Sequence, residues 1–167
     1  MHELAITVIG PDRTGIVADV AEALAGVGAN LTDSTMTRLR GHFTMTLICT
    51  GPTADDVEKA LEPLADVVTT VRRVEPEADT AASGEPFVVS VHGADRLGIV
   101  AAVTRVVAAE GGNITDLSTR LAGTLYVLIA EADVPAGNAD ELAEQLAVAA
   151  AELGVEVTLR RAESEIL

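Results

Sequence analysis

Two short clusters in this chain gather the groups that a small charged molecule would need. The first is Gly10-Pro11-Asp12-Arg13-Thr14-Gly15-Ile16, and the second is Gly93-Ala94-Asp95-Arg96-Leu97-Gly98-Ile99. In each, an alternating apolar stretch gives way to helical spacing, so the cluster sits where a strand ends and a helix begins. The first turn of a helix exposes unpaired backbone N–H groups and the positive end of the helix dipole. Such a turn can hold a carboxylate, and Gly15 and Gly98 let a small molecule approach the backbone closely. Asp12 or Asp95 could accept hydrogen bonds from an ammonium group. Arg13 and Arg96 could bind a carboxylate or bridge to an acid on a neighbouring domain, and a surface ion pair is an equal alternative. Together these groups match the two ends of a free amino acid. A competing reading makes the aspartates helix caps and the glycines turn formers. The cluster is not a phosphate loop, because it lacks the Lys-Ser/Thr ending.

A second repeated cluster, Asn30-Leu31-Thr32-Asp33 and Asn113-Ile114-Thr115-Asp116, opens a strand in each half. That strand should pair beside the first, which places its asparagine near the Gly-x-Asp-Arg turn, with a side chain that both donates and accepts. The alternatives are an asparagine bonded to its own turn and threonines with only a strand role. The Arg72-Arg73 and Arg160-Arg161 pairs end strands in a very acidic chain and read as solvated or salt-bridged. Cys49 lies in an apolar strand and reads as a buried thiol. His2, His42 and His92 lack metal-ligand spacing, so no metal site is expected. Neither Cys49 nor any histidine recurs in the other copy. No nucleophile, base and orienting group assemble, so neither an enzyme nor a cofactor is expected.

The elements that must position these residues also come twice. Gly10 to Ala18 recurs as Gly93 to Ala101 at an offset of 83, and Asn30–Asp33 recurs at the same offset. Arg38 and Gly41 match Arg120 and Gly123 after a one-residue slip, and Val71-Arg72-Arg73 matches Leu159-Arg160-Arg161. Leu4, Ile6 and Val8, or Phe87, Val89 and Val91, alternate as a first strand. Ile16, Val20, Leu24 and Val27, or Ile99, Val103, Val106 and Val107, follow as a helix, stopped by Gly26 and Gly28 or by Gly111 and Gly112. A strand from Asn30 to about Arg38 turns at Gly41 into Phe43–Cys49, and in the second copy Leu125–Ala130 follows Gly123. A second helix buries Val57 and Leu61, or Leu142 and Leu146. Thr53 and Asp55 are its cap candidates in the first copy, and Pro63 shortens it there. Val67–Val74 and Val155–Arg161 close the units. The fold class is α+β: two tandem ferredoxin-like βαββαβ units, each an antiparallel sheet with both helices on one face. The expected boundaries are 1–75 and 87–167, with a polar, proline-bracketed linker over 76–86.

Composition narrows the function. Apolar residues make up 49% of the chain and aromatics 2%, so aliphatic side chains must fill the core. The net charge of −15 is shared by both halves and argues against direct nucleic-acid binding, which needs a basic footprint. No apolar run approaches the ~20 residues of a membrane span. The start Met1-His2-Glu3 lacks a secretory signal, and a single cysteine fits a reducing cytoplasm.

The Gly-x-Asp-Arg-x-Gly-Ile-Val-Ala and Asn-Leu/Ile-Thr-Asp patterns, in this repeat order, resemble ACT domains over nearly the whole chain. Among these, the two-domain layout is most similar to the glycine cleavage system transcriptional repressor group. The Asp-Arg-x-Gly-Ile-Val stretch also resembles the regulatory region of formyltetrahydrofolate deformylase, whose separate catalytic domain has no room here. The resemblance implies a small amino acid, glycine or serine favoured, bound at domain interfaces through the loop after the first strand and the start of the second. By position that assigns Asp12, Arg13, Thr14, Gly15, Ile16, Asn30, Leu31 and Thr32, with Asp95, Arg96, Leu97, Gly98, Ile99, Asn113, Ile114 and Thr115 in the second copy. Thr14 and Leu97 stand where the family often has proline, which could leave the two sites unequal. The resemblance further implies regulation through a protein partner rather than through DNA, and the need to protect open sheet edges makes a homodimer the expectation. The rival readings are a ligand-free assembly module and a regulatory subunit of a separate enzyme.

Overall fold

Alternation along the first strand of each half decides which face of its sheet is buried. In the computed structural model, which describes residues 2–78 and 84–163, Leu4, Ile6 and Val8 are at most 3% exposed while their neighbours along the strand are not. The first unit, Met1–Ala78, runs β1 (Glu3–Pro11), α1 (Ile16–Gly26), β2 (Asn30–Leu39), β3 (His42–Thr50), α2 (Ala54–Leu61) and β4 (Val68–Val74). The second, Asp79–Leu167, runs β5 (Glu85–Ala94), α3 (Ile99–Ala109), β6 (Asn113–Ala122), β7 (Leu125–Val134), α4 (Ala139–Leu153) and β8 (Glu156–Arg161). The βαββαβ order expected from the repeat is present in both. Of the proposed linker, residues 79–83 lie outside the described residues, and Glu85 and Pro86 belong to β5.

Each sheet is wholly antiparallel, in the order β2-β3-β1-β4 and β6-β7-β5-β8. The two central strands of each carry the apolar rows. Ile6 faces Leu47 on one side and Val71 on the other, and α1 lays Ile16, Val20 and Leu24 over this face while α2 adds Val57 and Leu61. In the second unit Ile99, Val103 and Val107 of α3 and Leu142 and Leu146 of α4 cover Val89, Val91 and Leu128. Phe43, with no exposed surface, is the largest side chain in the first core, and the residues buried with it are Leu, Ile and Val with Met45 and Cys49.

The opposite face is polar. A row of threonines, Thr35, Thr46, Thr7 and Thr70, crosses all four strands of the first sheet. Ser118, Ile129, Ser90 and Thr158 form the matching row of the second. Hydroxyls on that face let it meet water, as antiparallel sheets commonly do.

The second helices differ. α2 has 8 residues and α4 has 15. Thr53 caps α2 in a reciprocal box with Asp56, which leaves Asp55 inside the first turn rather than at the cap. Glu62 still holds helical angles (φ −54°, ψ −39°) and donates to the Glu58 carbonyl, and Pro63, which has no N–H to donate, ends the helix after it. α4 runs on until Gly154, whose φ of 67° stops it.

The one-residue slip between copies has its cause in the hairpin turns. Arg40 and Gly41, at φ 48° and 80°, both sit left-handed between β2 and β3, as a type I′ turn requires. Between β6 and β7 the glycine, Gly123 at φ 62°, takes the first turn position instead. The strand registers stay at offset 83, because Leu39 pairs with His42 and Ala122 with Leu125. Arg38 and Arg120 are therefore not equivalent. Arg38 pairs with Phe43 on the helix side, whereas Arg120 pairs with Val127 on the open side.

A Cβ on Gly10 would lie 2.6 Å from the Asp66 carbonyl oxygen, whereas one on Gly26 would meet nothing within 4 Å. Gly10→Ala should therefore destabilise by roughly 1–3 kcal/mol, the usual cost of overpacking. Gly26→Ala, at the last helical residue, should be neutral or stabilising by up to ~1 kcal/mol. Denaturant midpoints of the two variants against the parent check the opposite signs.

Candidate functional site

β1 ends at Pro11, and the Asp12 amide donates to the Gly41 carbonyl at 2.9 Å, which pins the loop to the β2–β3 hairpin. Asp12 also lies 3.5 Å from Arg38 of β2. Gly15 is the N-cap of α1 at φ 84°, and Gly98 caps α3 at φ 90°. No side chain caps either helix, so the aspartates are not the caps that the competing reading made them. The first amide of α1, on Ile16, donates back to the Arg13 carbonyl at 3.4 Å, and a Cβ on either glycine would touch nothing within 4 Å.

Arg13 is engaged elsewhere. Its guanidinium lies 2.8 Å from both Asp66, before β4, and Asp19, in α1. These bonds raise its pKa, with Asp66 the larger cause, and the same bond holds the Asp66 carboxyl below its ordinary range. In the second unit Gly154 stands where Asp66 would. The Arg96 guanidinium packs there, 3.5 Å from the position of a Gly154 Cβ. A cation at the C-terminus of α4 complements the helix dipole. Each loop arginine thus ties its loop to the segment that enters the last strand. Nothing in the repeated motif gave away Asp66, because its partner position is not repeated.

Thr14 and Leu97 occupy the same loop position, and Leu97 is fully exposed. Ile16 and Ile99 are 2% exposed and point into the cores, so only their backbones can face a ligand. Leu31 and Ile114 pack against the same cores. Thr32 and Thr115 each sit at a β-bulge and donate across to the Ile48 and Glu131 carbonyls at 3.3 and 3.4 Å. Their first task is to hold that bulge, which restores the side-chain alternation after it.

Asn30 and Asn113 do not lie beside the turn of their own unit. β2 pairs with β3 rather than β1, and Asn30 faces Thr50 while the loop joins the sheet at Pro11 and His42. Eight residues of strand separate these rows, roughly 26 Å at the usual rise. Among the described residues neither asparagine side chain makes a hydrogen bond, so neither is occupied by its own turn. An open groove of about 910 Å³ runs along the outer flank of α3 from Gly98, past Ala101 and Arg105, to Asn113 and Ile114. A shallower concavity of about 500 Å³ lies on the loop, between Asp95, Leu97 and Tyr126. Within one unit the loop and the asparagine stand at opposite ends of the groove. A small amino acid cannot touch both.

The other candidates are accounted for individually. Cys49 is fully buried and burial raises its pKa, which keeps the thiol protonated. Arg161 pairs with Glu85 at 3.0 Å and lies over the Phe87 ring. His92 Nε2 is 2.7 Å from Glu156 on the open sheet face. Among the described residues no three His, Cys, Asp or Glu side chains gather as a metal site, and no helix is long and apolar enough to cross a membrane.

Comparison with known proteins matches the family model of the ACT domain to residues 2–70 and again to 85–160. A UPF0237 protein of Listeria monocytogenes is 32% identical over 87 residues, covering 52% of this chain and 81% of that protein. A UPF0237 protein of Methanosarcina mazei is 40% identical over 76 residues, covering 44% and 83%. These relatives match about one unit's length. A crystal structure of an unknown protein from Galdieria sulphuraria is similar over 98% of this chain and all of that one, with a TM-score of 0.82 and 29% identity. That of a candidate glycine cleavage system transcriptional repressor covers 98% of each chain, with a TM-score of 0.72 and 23% identity. The latter likeness is one of fold.

The Arg13–Asp66 pair carries a pH signature. With its carboxyl held low in the folded state, Asp66 stabilises fully above the ordinary carboxylate range and loses that contribution as pH falls through the lower folded-state value. Asp66→Asn should be less stable than the parent at neutral pH, by a small amount because the pair is exposed. The gap should close in strong acid. Denaturant unfolding across that range checks it, and a gap independent of pH would show that the ion pair is not its source.

Proposed function

This chain belongs to the ACT domain family as two tandem domains, and from that premise we propose that it is a non-catalytic regulatory protein that binds a small amino acid. The observation that carries the reading is the pair of uncapped helix starts at Gly15 and Gly98, each beside a carboxylate and each repeated with an unbonded asparagine. Uncapped N–H groups suit the carboxylate of an amino acid, Asp12 or Asp95 suits its ammonium group, and Asn113 or Asn30 suits either. Because loop and asparagine stand far apart within a unit, the ligand is held where the loop of one ACT domain meets the strand start of another. Binding would favour one domain arrangement by its differential affinity, and a protein partner would read that arrangement. Glycine or serine is favoured by the likeness of motif and layout to the glycine cleavage repressor group, which also suggests a role in glycine and one-carbon metabolism. A lone buried thiol suits the cytoplasm.

A second reading rests on the structural tasks found at the motif. Arg13 closes ion pairs, Thr32 and Thr115 hold bulges, and Gly10 allows a close backbone approach. On this reading the domains only assemble. The two separate in thermal unfolding with each of the twenty amino acids in turn. A ligand present at ~100 times its dissociation constant stabilises by about 2.7 kcal/mol, several degrees for domains of this size. The expected result is a shift with glycine or serine that Asn113→Ala or Asn30→Ala abolishes. No shift with any amino acid would leave the assembly reading in place.

A further inference from the structure

We propose that the loop of the second unit is the ligand site of this chain, with Asp95 and Tyr126 as its side-chain contacts, and that the loop of the first unit is closed by its own arginine. One amino acid then binds per chain. This rests on the amino-acid reading above and says which repeat carries it. The difference starts at one pair of facing positions. Arg38 of β2 pairs with Phe43 of β3, and Phe43 in turn pairs with Gly10 before the first loop. In the second unit the same register sets Leu121 beside Tyr126, and Tyr126 beside Gly93. Leu121 therefore stands where Arg38 stands, and Tyr126 where Phe43 stands.

That exchange changes what each loop acid meets. Arg38 Nη1 lies 3.5 Å from the Asp12 carboxylate, so the first loop carries its own counter-ion. An exposed pair of this kind adds little stability. It still competes with a ligand, because the arginine is tethered to the chain and always present at high effective concentration. Leu121 brings no charge, and among the described residues Asp95 makes no ion pair. The attraction of Asp95 for an incoming ammonium group is not already taken up. The concavity of about 500 Å³ opens on this second loop and is lined by Asp95, Gly98 and Tyr126. Tyr126 packs against the core, and among the described residues its hydroxyl has no hydrogen-bond partner. A phenol O–H donates, so it suits the carboxylate of the ligand while Asp95 takes the ammonium. Phe43, fully buried, offers the first loop no such donor.

Isothermal titration of the full chain with each of the twenty amino acids, glycine and L-serine first, counts the sites. The parent should bind one amino acid per chain. Leu121→Arg gives Asp95 the cation that Asp12 already has, and it should raise the dissociation constant by roughly 10-fold or more, as should Asp95→Asn. Tyr126→Phe, which makes the second loop like the first, should raise it by about 10-fold through loss of a hydrogen bond to a charged group. Leu121 is 41% exposed, so arginine fits there, and far-ultraviolet circular dichroism checks that each variant is folded. Two amino acids bound per chain, a site that survives Leu121→Arg at parental affinity, or Tyr126→Phe binding as the parent does would each overturn the proposal and leave the amino-acid reading standing. A parent that binds none of the twenty would overturn both.

Discussion

Each unit depends on one arrangement, an aliphatic face of a four-stranded sheet closed by two helices. With almost no aromatic side chains available, that seal rests on Val, Leu and Ile fitting closely, and the approach of backbone to backbone becomes limiting. Gly10 and Gly93 mark two such close approaches, where the end of the first strand passes the segment that enters the last one. Buried apolar area is what stabilises such small domains. The loop that follows these glycines inherits its position from that contact, and the loop arginines reinforce it, through Asp66 in one unit and the end of α4 in the other.

The loop is thereby held rigidly while its helix start stays open. Gly15 and Gly98 close no side-chain cap, so the groups that usually satisfy a helix N-terminus are left for something else. The asparagine that would complete an amino-acid site is fixed just as firmly, but at the far end of the sheet.

Much of this architecture was legible in the residues. Alternation at Leu4, Ile6 and Val8, helical spacing at Ile16, Val20 and Leu24, and the internal repeat gave the element order and the core. Thr53 was readable as a cap because the box chemistry is local. The one-residue slip between Arg38 and Arg120 was visible in the residues, but its cause, a glycine moved within the turn, was not. Asn30 was placed beside the wrong strand because adjacency in sequence was taken for adjacency in the sheet. Asp66 was invisible as Arg13's partner, lying 53 residues away without a repeated counterpart.

The sequence by itself determined what is local or periodic: the faces of strands and helices, the turns that demand glycine, the duplication, and the motif that marks an ACT domain. These follow from side-chain period and backbone sterics, which act over a few residues. Tertiary structure alone decided the strand order, and with it the distance between loop and asparagine, the ion partners of Arg13 and the position of Arg96 at the end of α4. Those depend on which distant segments share an edge, and that is set by the burial of whole faces rather than by any short stretch of chain.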